Sequence, residues 1–235
     1  MPSPRAVLFD LDNTLVHRAL SIASYASAFI SDFDSDLHAP TAHGVTGIIL
    51  RQDNGGYLSA DSPHGSIRAA VAAALVSELR WRRPVEESQV LMHWVHNFPA
   101  HAVEMPGAGQ VVESLVGQGM KVGIVSNGSQ KSRAQTVDAL AFGKHISLLM
   151  SSERVGIRKP DPAIFIEAAR ELGLPAHDCW YVGDHPVNDI AGASRAGMRA
   201  VWLEGFHEWP DEARAPDPKI SAIRGVLDLL ERVRP

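Results

Sequence analysis

The sequence predicts an α/β protein in which a doubly wound, Rossmann-like parallel sheet forms the larger part and a smaller, mostly helical cap is inserted near its start. Three observations predict it. Short apolar runs recur, and they are continuous rather than alternating, as in strands covered by helices on both faces. Each run breaks off in small or acidic residues. Helix-period segments lie between the runs, and strand–helix alternation of this kind builds βαβ units.

Taken in order, Ala6-Val7-Leu8-Phe9 before Asp10 reads as the first strand. Val122-Gly123-Ile124-Val125 before Ser126 follows, then residues 146–150, then Cys179-Trp180-Tyr181-Val182 before Gly183-Asp184. Ala200-Val201-Trp202-Leu203 before Glu204-Gly205 is the last. Helices are expected over 109–117, 130–140, 162–172 and 187–196, with a closing helix over 220–233. Residues 15–105 read differently. Segments 19–33, 66–82 and 86–98 repeat apolar residues at three and four, whereas 39–61 is rich in Gly, Asp, Asn and Thr and takes no assignment. Within it, Ile48-Ile49-Leu50 ahead of Asp53-Asn54-Gly55-Gly56 reads equally as a hairpin or a helix end. The expected organisation is a core of 1–15 and 106–235 interrupted by a helical domain of 16–105.

Composition narrows the function classes. The chain has 235 residues, 45% of them hydrophobic and 21% charged, which suits a globular protein and excludes a disordered or collagen-like one. Asp+Glu 27 against Lys+Arg 22 leaves a net charge of −5, so no basic surplus recommends a nucleic-acid partner. The lone Cys179 makes neither an internal disulfide nor a multi-cysteine zinc site, and points to a reducing cytoplasm. No apolar stretch approaches the ~20 residues of a bilayer-spanning helix. Asp10 and Asp12 interrupt the first apolar run too early for a signal peptide. A soluble cytoplasmic protein is expected; oligomeric state is not legible.

In an open parallel sheet, ligands bind beyond the carboxyl ends of the strands. Asp10-Leu11-Asp12-Asn13-Thr14 follows the first strand, Ser126-Asn127-Gly128 the second, and Gly183-Asp184 a later one, with Asp189 beyond it. Arg158-Lys159-Pro160-Asp161-Pro162 precedes a helix. Four carboxylates, a hydroxyl and an ammonium thus converge on one edge. Clustered carboxylates call for a divalent metal, and oxygen ligands suit Mg²⁺.

In these segments the chain resembles the haloacid dehalogenase superfamily, in the subgroup with a helical cap after the first strand. Asp10-Leu11-Asp12-Asn13-Thr14 matches its DxDxT signature, Ser126 its second motif, Lys159 its third, and Gly183-Asp184 with Asp189 its GDxxxxD. The four stand in order along the whole chain. The resemblance implies a Mg²⁺-dependent phosphatase acting on a small phosphorylated metabolite such as a nucleotide, a sugar phosphate or phosphoglycolate. It implies Asp10 as nucleophile and Asp12 as general acid and base, with Asp10, Asp12 (through its main-chain carbonyl) and Asp184 on the metal. Ser126, Asn127 and Lys159 would bind the phosphoryl group, and Asp189 would support Lys159 or a metal-bound water. The insert would close as a lid and select the leaving group. A phosphomutase, a 2-haloacid dehalogenase and a non-enzymatic binding protein are the alternatives, and Asp12 speaks against dehalogenation, which needs no such acid.

Each residue also has a plainer reading. Asp10 and Asp12 alone would be turn formers, Ser126 and Asp189 helix caps, and Lys159 a solvated loop lysine. Turn chemistry, however, does not explain four motifs in order. His93 and His96 have helical spacing but no evident third ligand for zinc. His17 follows the first motif closely, and His185, inside the fourth, reads as a solvated loop histidine; both are the places to look for a proton carrier only if Asp12 is not one.

Overall fold

The computed structural model describes residues 3–210 and 218–233. After strand β1 (Ala6–Phe9), four helices follow: α1 (Arg18–Asp32), α2 (Ala42–Asp53), α3 (Ile67–Glu78) and α4 (Glu87–Asn97). The alternating part then runs α5 (Ala108–Gly117), β2 (Lys121–Ser126), α6 (Gln130–Asp138), β3 (Leu148–Ser151), α7 (Ser152–Val155) and α8 (Pro162–Glu171). It continues through β4 (Cys179–Gly183), a π-helical turn (Pro186–Ala191), α9 (Gly192–Arg195), β5 (Arg199–Leu203), β6 (Lys219–Ile220) and α10 (Gly225–Glu231). The chain divides into two compact units, Met1–His17 with Glu104–Pro235, and Arg18–Val103.

In the first unit the six strands lie in the order β3-β2-β1-β4-β5-β6, every pair parallel. The continuous apolar strands explain this. Ala6 and Leu8 pack with Ile164 and Phe165 of α8 and Ala193 of α9, while Val7 and Phe9, on the opposite face, are equally buried. Phe9 stands level with Ile124 of β2 and Val182 of β4, so the chain turns out of three neighbouring strands at one edge. Local chemistry fixes where the helices start: Ser129 caps α6 through Ser132 N–H, and Asp161 caps α8 through Ala163 N–H with Pro162 at the first turn.

The second unit is built on helices α1 to α4, joined by irregular segments. Its centre is aromatic: Tyr25 lies 4.8 Å from Trp94 centroid to centroid, and Trp94 stacks on Phe98 at 4.1 Å. Segment 39–61, which the sequence left unassigned, contains α2. Thr41 caps its start through Gly44 N–H, and Asn54, left-handed at φ 44°, ends it. Apolar Val45, Ile48 and Ile49 are buried, and that burial outweighs the poor helix propensity of Gly44, Gly47 and Thr46. At the chain's other end the expected helix over 220–233 starts later, at Gly225, because Ile220 pairs with Leu203 as β6. The expected helix over 187–196 is π-helical until Ala191 and α-helical only from Gly192. Among the described residues no helix is long and apolar enough to cross a membrane.

Candidate active site

The site begins with Asp10, the first residue beyond β1, whose N–H bonds Val182 O at 2.9 Å and holds it level with the end of β4. Its carboxylate is nearly buried. Lys159 Nζ donates to Asp10 Oδ1 at 2.6 Å, to Asp189 Oδ1 at 2.6 Å and to Tyr181 Oη at 2.9 Å, one partner for each ammonium hydrogen. Tyr181 lies within hydrogen-bond reach of Val125 O at 3.0 Å and Asp189 Oδ1 at 3.1 Å. The loop carrying Lys159 is clamped by Asn127, whose Oδ1 accepts from Lys159 N–H at 2.9 Å while its Nδ2 donates to Lys159 O at 3.1 Å. Two loops that are 32 residues apart in sequence are thereby fixed to each other.

Asp189 reaches this cluster because the strand end makes room. A Cβ on Gly183 would lie 2.5 Å from Asp189 Cγ, so only glycine allows the carboxylate to sit there. The π-helical turn aims it. His185 Nδ1 accepts the Val187 and Asn188 N–H groups at the start of that turn, and Asp189 Oδ2 accepts from His185 N–H at 2.9 Å.

Asp10, Asp184 and Asp189 each offer a carboxylate oxygen, all within 4.8 Å of one another and all buried. The electrostatics follow. Burial pushes the Asp10 carboxyl up to about 7, with Asp189 and Asp184 adding to the rise and Lys159 opposing it. Burial likewise raises Asp184, against a hydrogen bond from His207. Burial pulls the Lys159 ammonium down, but the two carboxylates more than offset it and its pKa is raised. Three carboxylates and one ammonium carry a formal surplus of two negative charges in a buried, oxygen-only donor set. That chemistry fits a hard divalent cation.

Asp12 is placed differently. Its Oδ2 accepts from Arg133 Nη1 at 2.7 Å, and Arg133 is anchored through Nε and Nη2 to Asn127 O. Gly128, at φ 139°, lets Arg133 through: a Cβ there would lie 2.9 Å from Arg133 Nε. Ser126 ends β2 and is buried, opposite Ser151 in register. The structure therefore gathers Asp10, Lys159, Asp184 and Asp189 in one cluster, ties Asn127 to it through the main chain of Lys159, and holds the Asp12 carboxylate in an ion pair with Arg133.

A model of haloacid dehalogenase-like hydrolases matches residues 4–197. The chain belongs to that family. Phosphoserine phosphatase from Thermus thermophilus is 32% identical over 110 residues, which is 47% of this chain and 44% of that protein. The chain spans about half the length of curated relatives of this kind. The magnesium-bound HAD-hydrolase YfnB from Bacillus subtilis superposes with a TM-score of 0.70 at 17% identity, covering 97% of this chain and 99% of that one. A 2-haloacid dehalogenase from Pseudomonas syringae gives 0.63 at 25% identity over the whole of both chains. The fold, with its helical insert, is thus that of this hydrolase family.

Three site residues escaped the sequence reading: Arg133, Tyr181 and His207. Arg133 sits in a polar helix and Tyr181 in an apolar strand, where each reads as surface and core. His207 follows β5, whose carboxyl end is by the same edge rule a place to look; its Nδ1 lies 2.8 Å from Asp184 Oδ2.

Proposed function

We propose that this hydrolase is a Mg²⁺-dependent phosphatase acting on a small phosphorylated metabolite through an aspartyl-phosphate. The observation that carries the reading is the surplus of buried carboxylate around Asp10, only partly offset by the Lys159 ammonium, with a separately held aspartate, Asp12, two residues further along the chain. Asp10, Asp184 and the main-chain carbonyl of Asp12 would hold the cation. Bound Mg²⁺ would supply positive charge that lowers the repulsion between an anionic nucleophile and an anionic phosphoryl group.

The chain's own residues do the rest. Asp10 attacks phosphorus and takes the phosphoryl group, dividing hydrolysis into two displacements. Lys159 holds the Asp10 carboxylate and offers charge to the phosphoryl oxygens, with Ser126 Oγ as a further donor. The side chain of Asn127 is committed to Lys159, so its share in phosphate binding falls to its main-chain N–H. Asp189 and Tyr181 keep the ammonium in place. Asp12 gives a proton to the departing oxygen and later takes one from the attacking water. Arg133 orients that carboxylate before substrate arrives, and Asp12 acts as the acid in its protonated form within the substrate complex. Residues 1–15 and 106–235 are assigned the hydrolytic chemistry, and the helical segment 16–105 the selection of the leaving group. Asp12 sets this reading apart from dehalogenation, where no oxygen leaves that needs a proton.

Exhaustive chelation should abolish hydrolysis of an aryl phosphate, and added Mg²⁺ should restore it. Asp12→Ala should lose about 10²–10⁴-fold in kcat on an alkyl phosphate and distinctly less on the aryl ester, whose leaving group scarcely needs a proton. Full turnover after chelation, or an equal loss on both esters, would overturn the assignment.

A further inference from the structure

The loop after β5 carries no motif that the sequence reading used, yet it is built onto Asp184. Trp202, the next-to-last residue of β5, donates from Nε1 to the Asp184 carbonyl at 3.0 Å. His207 approaches the same residue's carboxylate, Nδ1 to Oδ2, at 2.8 Å. Facing an ionised carboxylate, Nδ1 must carry the hydrogen. The ring is not loosely placed. It packs against His185 at 4.7 Å between centroids, and His185 is itself fixed as the cap of the π-helical turn that carries Asp189. Two residues further on, Trp209 packs on Trp202 at 5.1 Å, which ties the segment just beyond His207 to β5. Main chain and side chain of Asp184 are thus both held by donors from one segment.

We propose that His207 is a positioning residue of the cation site: its Nδ1–H fixes one oxygen of Asp184 and leaves the other oriented for a divalent cation. The inference deepens the proposed function and rests on its assignment of Asp184 to the metal. A carboxylate free to rotate would lose orientational entropy whenever it bound an ion. A donor on its distal oxygen removes that cost beforehand, and outer partners of this kind are typically worth roughly 10–100-fold in metal affinity. His207 touches neither phosphorus nor leaving group in this scheme, so its effect belongs in cation affinity and disappears from kcat at saturating Mg²⁺.

Calorimetric titration of Mg²⁺ into the metal-free full-length protein tests this on wild type, His207→Ala, His207→Asn and Asp184→Asn. His207→Ala should weaken binding by about tenfold or more with unchanged stoichiometry and an unchanged unfolding temperature of the metal-free protein. His207→Asn places an amide N–H near the position of Nδ1 and should recover most of the affinity. Unaltered or tighter binding by His207→Ala, while Asp184→Asn loses it, would refute the role of His207 and leave the metal reading standing, as would an Asn variant no better than Ala. Absence of Mg²⁺ binding by the wild type, or full binding by Asp184→Asn, would instead overturn the cation site itself and the inference with it.

Discussion

Arg18 in the helical unit and Lys159 in the sheet unit are both nearly buried cations paired with buried carboxylate, but their charges balance differently. Arg18 meets Asp53 one to one: Nε to Oδ2 at 2.8 Å and Nη2 to Oδ1 at 2.6 Å, both carboxylate oxygens taken by one planar fork. Lys159 faces Asp10 and Asp189 with Asp184 close behind, a single positive charge among three negative ones. Tyrosines repeat the contrast. Tyr25 meets His93 at 2.8 Å, and His93 meets Asp32 at 2.9 Å, a chain that runs from the aromatic core to a largely exposed carboxylate. Tyr181, Lys159 and Asp189 form a similar chain that stays buried and ends on Asp10. A pair whose charges close on themselves serves the fold. A cluster that keeps an unbalanced charge out of water is costly to the fold, and it is arranged to receive something positive.

The comparison breaks most visibly at Asp10. Asp10→Asn should abolish turnover, a loss on the order of 10⁶ by analogy with other nucleophile removals, while above neutral pH the metal-free variant unfolds at a higher temperature than wild type. A fall in unfolding temperature would mean that Asp10 is stabilising and the cluster balanced. Arg18→Met should do the reverse. It strands Asp53 without its partner and costs about 3–5 kcal/mol of stability, read by denaturant titration, while Mg²⁺ affinity measured below the transition stays that of wild type. The smallest effect is a slope. A carboxyl raised in the folded state from an ordinary value near 3.8 to about 7 takes up protons on folding between those limits. Asp10 therefore contributes stability that is complete below about pH 4 and is lost as pH rises through about 7. The difference in unfolding temperature between metal-free wild type and Asp10→Asn should run in that direction across that interval; a flat difference would contradict the burial argument.

The parts legible in the sequence were those with a local signature. Continuous apolar runs ending in Asp10, Ser126 and Asp184 identified both the parallel sheet and the edge at which chemistry gathers. Helix α2 was not legible because its burial comes from tertiary packing, while its own Gly44, Thr46 and Gly47 argue against a helix. Strand β6 is two residues long and exists only through its pairing with β5. The partnership of Asp12 with Arg133 joins residues 121 apart, and that of Asp184 with His207 joins residues 23 apart across a strand. Neither separation repeats a spacing, and arginine on a helix or histidine in a loop carries no pattern of its own. Lys159 and Asp189 were visible as members of motifs, but their meeting on one ammonium with Tyr181 required the glycine at 183 and the π-helical turn, which only the folded backbone displays.

The most direct test is to trap the covalent enzyme. Protein mixed with Mg²⁺ and an aryl phosphate, quenched in acid within the first turnovers and digested, should yield a peptide carrying one acid-stable, base-labile phosphoryl group on Asp10. The same label should be absent from Asp10→Asn. A phosphoryl group on any other residue, or full turnover by wild type with no covalent enzyme at any time under single-turnover conditions, would contradict the account.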